Sequence, residues 1–187
     1  TVPLQPAAAQ AQTFLLAGHV GRSAAAPSGA MVGVGAEMRE GLWGLRVGVA
    51  MDAAGTALTP LTPDGSASGV WASDLDVGLN LAHVQSGAAF LDRTDPSLFL
   101  GAGGAGVSGD GSGVDRRAGS FVPTWSVGAR GGYPLTGSLG IELEARRRQT
   151  FRDVAVEEFP VAHGWEYRIG LALRLGGATS SRVLPAT

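Results

Sequence analysis

Along residues 165–175, WEYRIGLALRL, every second residue is large and apolar: Trp165, Tyr167, Ile169, Leu171, Leu173 and Leu175. The residues between them are Glu166, Arg168, Gly170, Ala172 and Arg174. Alternation with period two puts the two sets on opposite faces of a β-strand. Seven more segments carry the pattern, separated by turn-forming clusters of Gly, Pro, Ser, Asp and Thr. They are TFLLAGHVGR from Thr13, AMVGVGAEMRE from Ala30, LWGLRVGVAMD from Leu42, VWASDLDVGLNLAH from Val70, SLFLGAGGAGV from Ser97, TWSVGARGGY from Thr124 and SLGIELEARRR from Ser138. Tandem glycines leave the facing of the segment from Ser97 open, because a strand without strong alternation holds its register poorly.

The links between segments add topology. Gly41 and PLTG (134–137) are tight, whereas residues 53–69, 108–120 and 150–164 are long and polar. Short and long links in alternation predict an all-β, eight-stranded, antiparallel up-and-down barrel with turns on one rim and loops on the other. The link around SGAAFLDRTDP (86–96) is longer than that rule prefers. A chain of 187 residues suffices for one such domain. The expected organisation is an N-terminal extension or linker at 1–12, the barrel at 13–175 and a tail at 176–187. PAAAQAQTF at 6–14 reads either as a signal-peptidase site or as an Ala-rich linker.

Alternation alone fits a barrel in water as well as one in lipid, and three features favour lipid outside. The polar face is rich in glycine (Gly33, Gly35, Gly44, Gly48, Gly78, Gly128, Gly140, Gly170), as a narrow eight-stranded interior requires. Its charges balance: Glu37, Asp52, Asp74, Asp76, Glu142, Glu144 and Glu166 against Arg39, Arg46, Arg130, Arg146, Arg148, Arg168 and Arg174. Enclosed charges must find opposite partners, and the planar guanidinium fork suits carboxylates. Finally, Trp43, Trp71, Trp125 and Trp165 all lie on the apolar face near a strand start. With Phe14, Tyr133 and Tyr167 they cluster toward strand ends, as aromatic girdles do at membrane interfaces.

Composition agrees with this picture. Only 16% of residues are charged against 44% hydrophobic, and every basic residue is Arg. A net charge of −2 supplies no field to attract nucleic acid. Without cysteine there is neither a disulfide scaffold nor a thiolate metal site. No run of 18 apolar residues exists for a membrane helix, but a barrel strand needs only about 9–11 alternating residues.

With eight two-faced strands, alternating links and Glu/Arg-rich inner faces, residues 13–175 resemble the small eight-stranded outer-membrane barrels of Gram-negative bacteria, of the OmpA and OmpX type. Arg168, Gly170, Leu173 and Leu175 fit the polar-x-Gly-x-x-apolar-x-apolar pattern by which the barrel assembly machinery recognises a last strand in that family. The family's terminal aromatic residue is replaced here by Leu175 and the tail GGATSSRVLPAT. The resemblance implies a bacterial outer-membrane location, lipid and the assembly machinery as partners, and protein partners reached through the long loops.

Candidate chemistry is sparse. His19 is expected inward, His83 at the lipid-side end of the fourth segment and His163 in the last long link. HVQSG (83–87) invites comparison with lipid A deacylases, whose His-x-Ser spacing becomes His83-x-x-Ser86 here. GAGGAGVSGDGSG (101–113) lacks the lysine and following helix of a phosphate loop, and Asp110 and Asp115 are too few for a calcium site. Glu142 and Glu144 with Arg146 and Arg148 read as a structural ion-pair ladder, not an acid/base pair. The expectation is therefore a non-catalytic barrel with no cofactor and no metal. A lipid A-modifying enzyme is the alternative, as is a carrier of a small apolar ligand entering beside Gly101, Gly103 and Gly104.

Overall fold

The computed structural model describes residues 12–23, 30–52, 69–81, 94–108, 121–151 and 164–176. Eight strands occupy nearly all of them: β1 (Thr13–Ser23), β2 (Ala30–Glu40), β3 (Trp43–Asp52), β4 (Gly69–Asn80), β5 (Ser97–Ser108), β6 (Phe121–Pro134), β7 (Leu139–Thr150) and β8 (Gly164–Leu175). Each pairs antiparallel with the next, and β8 pairs with β1, so the sheet closes on itself as the alternation predicts. Closure gives every ladder a neighbour and removes both edges.

The register fixes the shape of the barrel. Cα partners followed from Thr13 through Arg39, Gly44, Gly78, Phe99, Gly128, Arg146 and Glu166 return to β1 at Ser23, ten residues along. With a rise of ~3.3 Å per residue and ~4.8 Å between strands, that stagger tilts the strands about 40° from the axis. Each residue then climbs about 2.5 Å, so even the ten residues of β3 reach across an apolar band about 25 Å tall.

Two short turns sit on one rim. Gly41 takes a left-handed φ of 55°, which glycine adopts without a Cβ penalty, and the turn Gly41–Leu42 joins β2 to β3. Residues 135–138 join β6 to β7; the N–H groups of Leu135 and Thr136 both donate to Leu139 O at 2.9 Å. The Thr136 hydroxyl accepts from the N–H of Leu139 at 3.0 Å, which tightens the same turn.

Two boundaries differ by three residues from the sequence expectation. β4 stops at Asn80: Leu81 N still donates in register to Pro96 O at 2.8 Å, but Pro96 has no N–H to return the bond, and His83 lies outside the described residues. β6 starts earlier than predicted, at Phe121, and accommodates Pro123; the proline has no N–H to give, but its carbonyl accepts from Phe151 N at 3.2 Å.

Burial along the strands is inverted relative to a protein in water. The exposed residues are large and apolar, Val34, Leu100, Leu143 and Ile169 among them, whereas buried positions include Glu37, Arg46, Asp74, Asp76, Arg146 and Arg148. A small apolar cluster of Leu15, Ala17 and Ala172 lines the lumen between β1 and β8. β5, whose facing the sequence left open, turns Ser97, Phe99, Gly101 and Ala105 inward and Leu98, Leu100 and Ala102 outward.

Candidate functional site

Strand register brings opposite charges side by side on the inner wall. Glu37 faces Arg46 across β2–β3, Arg46 faces Asp76 across β3–β4, and Glu144 stands between Arg130 on β6 and Arg168 on β8. Side chains then reach across the lumen. Arg46 Nη1 lies 2.5 Å from Glu142 Oε1 on β7, and Arg130 Nη1 lies 3.0 Å from Glu37 Oε2 on β2. Arg146 touches Asp74 at 2.7 Å and Asp76 at 2.6 Å, both on β4. Arg148 grips Asp74 with both terminal nitrogens at 2.6 and 2.7 Å and bonds Glu166 at 2.9 Å. Arg168 joins Glu166 at 2.6 Å to Glu144 at 3.3 Å.

Six carboxylates (Glu37, Asp74, Asp76, Glu142, Glu144, Glu166) and six arginines (Arg39, Arg46, Arg130, Arg146, Arg148, Arg168) are buried there. The set is neutral. Burying an unpaired ion costs several kcal/mol, and geometry this close, with most lone pairs and N–H groups used, offsets that cost. Pairs that run from β7 to β4 and from β6 to β2 also tie opposite walls together and fill the lumen with side chains. Phe99, which projects inward from β5, lies between two of the cations, 4.7 Å from the Arg130 guanidinium carbon and 4.8 Å from that of Arg146. Its ring occupies space that a side chain at residue 128 would need: a Cβ on Gly128 would meet Phe99 Cζ at 2.5 Å.

One residue assigned to the interior by its place in the alternation is not there. Arg174 has the inward parity, yet its side chain is 46% exposed because it sits one residue before the end of β8, at the mouth. Its partner, at 3.7 Å, is Asp95, which also binds Arg39. Asp95 holds a positive φ of 43° just before β5 and was not singled out from the sequence, which placed it in a link. The side chain of Asp52 lies outside the described residues. His19 is inward and 7% exposed, with no hydrogen bond to either ring nitrogen among the described residues. A Cβ on Gly33 would meet its Nε2 at 2.3 Å.

The outer wall is organised by height. Phe14, Trp43 and Tyr133 lie at the strand ends beside the short turns; Trp71, Trp125, Trp165 and Tyr167 lie toward the opposite rim. Along β6, Tyr133 and Trp125 are eight residues apart, which the tilt converts to about 20 Å of height. Phe121 and Phe151 join the second level and were not anticipated, since both lie at segment ends that the alternation did not reach. Phe121 stacks on Trp71 at 5.9 Å and covers Gly104, where a Cβ would meet its ring at 1.9 Å. Between the two levels, no described outward residue is charged.

The spaces at the β5 glycines are filled by neighbours. Asp76 and Ser126 lean onto Gly101, the Ser73 carbonyl lies against Gly103, Phe121 covers Gly104, and β5 pairs continuously with β4 and β6. Residues 101–108 of the glycine-rich run are therefore strand, and 109–113 lie outside the described residues, as do Ser86, Asp110, Asp115, His163 and links 53–68, 109–120 and 152–163. No group of three or more metal-ligating side chains occurs among the described residues.

No protein-family model matches the chain, and no curated protein matches it in sequence. Solved structures do match its fold. The N-terminal β-barrel domain of Pseudomonas aeruginosa OprF superposes with a TM-score of 0.54 at 10% identity, covering 89% of this chain and 100% of that one. Ail, the attachment invasion locus protein of Yersinia pestis, gives 0.53 at 10% identity over 89% of this chain and 99% of Ail. A major outer membrane protein from Thermus thermophilus gives 0.50 at 17% identity over 88% and 99%. This chain has the fold of the small eight-stranded outer-membrane β-barrels.

Proposed function

We propose that the protein is a bacterial outer-membrane barrel with a structural or interaction role and no catalytic one. The observation that carries this reading is the inversion of its two surfaces: twelve paired charges buried in the lumen, and an uncharged apolar belt outside between two aromatic levels. Hydrocarbon is the solvent that suits such a belt, and a complete cylinder is the only sheet that hydrocarbon tolerates. A lumen plugged by ion pairs does not suit diffusion of solutes. Phe14, Trp43 and Tyr133 would lie at the interface beside the short turns, with Trp71, Trp125, Trp165 and Tyr167 at the other. By the usual orientation of such barrels, the short turns face the periplasm and the longer links face outward, where they would meet protein partners. The barrel assembly machinery would take up β8 through Arg168, Gly170, Leu173 and Leu175.

Heat-modifiable migration in detergent gels tests the reading: the folded barrel is expected to run faster unheated than boiled. A chain that stays monodisperse without detergent would sink it. Mass spectrometry of lipid A from cells with and without the protein is expected to give identical acyl composition; an altered composition would favour the lipid A-modifying alternative.

A further inference from the structure

The arginines of the described outer wall are confined to one sector. Arg22 on β1 and Arg147 on β7 are both outward and exposed, and they flank β8 at the height of the second aromatic level. In register, Arg22 faces Tyr167 and Arg147 faces Trp165. Those two rings stack at 6.2 Å with 13° between their planes. At the opposite rim the outward charge is negative, Glu40, which accepts a hydrogen bond from Gln12 at 3.2 Å.

Every buried arginine has a carboxylate partner, whereas neither Arg22 nor Arg147 makes an ion pair among the described residues. A guanidinium beside an apolar belt is stable only where its head reaches polar groups, and phosphate oxygens accept its paired N–H donors along one fork. The two arginines stand two strands apart and two residues out of register, a Cα separation of about 12 Å. Their flexible arms can close on a group resting over the Trp165–Tyr167 pair.

We infer that Arg22, Arg147, Trp165 and Tyr167 form a binding site for the net-anionic, phosphate-terminated headgroup of a lipid in the leaflet that the second aromatic level contacts. The site rests on the reading of the outer wall as lipid-facing. Two cations supply the charge; the stacked rings supply an amphipathic floor at headgroup depth.

Native mass spectrometry of the full chain folded in dodecylmaltoside, titrated with dioleoyl phosphatidic acid or dioleoyl phosphatidylcholine, tests it. Phosphatidic acid is expected to bind the more tightly. The double variant Arg22→Gln/Arg147→Gln is expected to weaken phosphatidic acid about tenfold to thirtyfold. Phosphatidylcholine binding and heat-modifiable migration should not change, and Glu40→Gln, on the far rim, should leave phosphatidic acid binding intact. Equal phosphatidic acid affinity in wild type and double variant overturns the site while leaving the membrane reading in place. Displacement of the lipid by an equal concentration of inorganic phosphate overturns lipid as the source of the phosphate. Failure of the wild type to insert into phosphatidylcholine vesicles overturns both the site and the wall reading.

Discussion

Residues 146–148 are three consecutive arginines that lie in two different media. Arg146 and Arg148 are fully buried in the lumen, each holding carboxylates from other strands, whereas Arg147 between them is exposed on the outer wall. One residue of strand pleat separates an environment where a cation must be paired from one where it stands among apolar and aromatic neighbours. In the lumen, specificity comes from electrostatics and close geometry; on the wall, it comes from hydropathy and height. The same residue type therefore carries different energetic weight on the two faces, and substitution can measure the difference.

The largest effect is expected at the lumen. Arg146→Met leaves Asp74 without one of its cations, Asp76 with Arg130 alone and Glu144 short of a hydrogen bond. Such a break should cost about 3–5 kcal/mol. Arg147→Met should change stability by less than about 0.5 kcal/mol. Urea unfolding from lipid vesicles reads both, and equal losses would erase the distinction between the faces. Next in size is the reverse experiment on the wall. Leu143→Arg, in the middle of the apolar belt, should cost about 2–4 kcal/mol in the same assay. A neutral result would mean that this face does not meet hydrocarbon.

Much of this contrast is legible in the sequence, for a physical reason. Side chains alternate strictly along a strand, so a single confident residue such as Trp43 or Leu171 assigns a face to all its neighbours. The balance of charges was readable for the same reason, but the choice of partners was not. Arg46–Glu142 and Arg130–Glu37 cross the lumen between strands far apart in sequence, and only closure with its ten-residue stagger brings them together. Parity also gives a face without a height, which is why Arg174 was placed inside when it stands at the mouth beside Asp95. β5 was illegible because glycine marks neither face. Its orientation comes from neighbours that fill the glycine spaces, and Phe99, between Arg130 and Arg146, was missed with it.

Smaller substitutions sharpen the comparison through packing alone. Gly33→Ala would place a Cβ 2.3 Å from His19 Nε2 and 2.6 Å from the Val49 carbonyl, and the crowded lumen should lose about 1–3 kcal/mol. Gly18→Ala faces outward with nothing within 4 Å, so its effect should stay within about 0.5 kcal/mol. Differential unfolding of the two variants checks this, and an outward loss as large as the inward one would contradict it. Between these two, Trp43→Leu removes an exposed ring of the outer wall and should cost no more than about 1 kcal/mol, seen as a modest fall in the urea midpoint.

The chain contains no cysteine, so a single introduced thiol reports one position without background. Spin labels placed one at a time from residue 166 to residue 173 of β8, in phospholipid vesicles, can be relaxed by lipid-dissolved oxygen or by a water-soluble nickel chelate. Oxygen contact is expected to peak at 167, 169, 171 and 173 and to fall at 166, 168, 170 and 172, with the nickel chelate excluded from the odd positions. Nickel relaxation at 169 and 171 equal to that of a label in free solution would contradict the claim that the apolar face meets lipid and the charged face is the core.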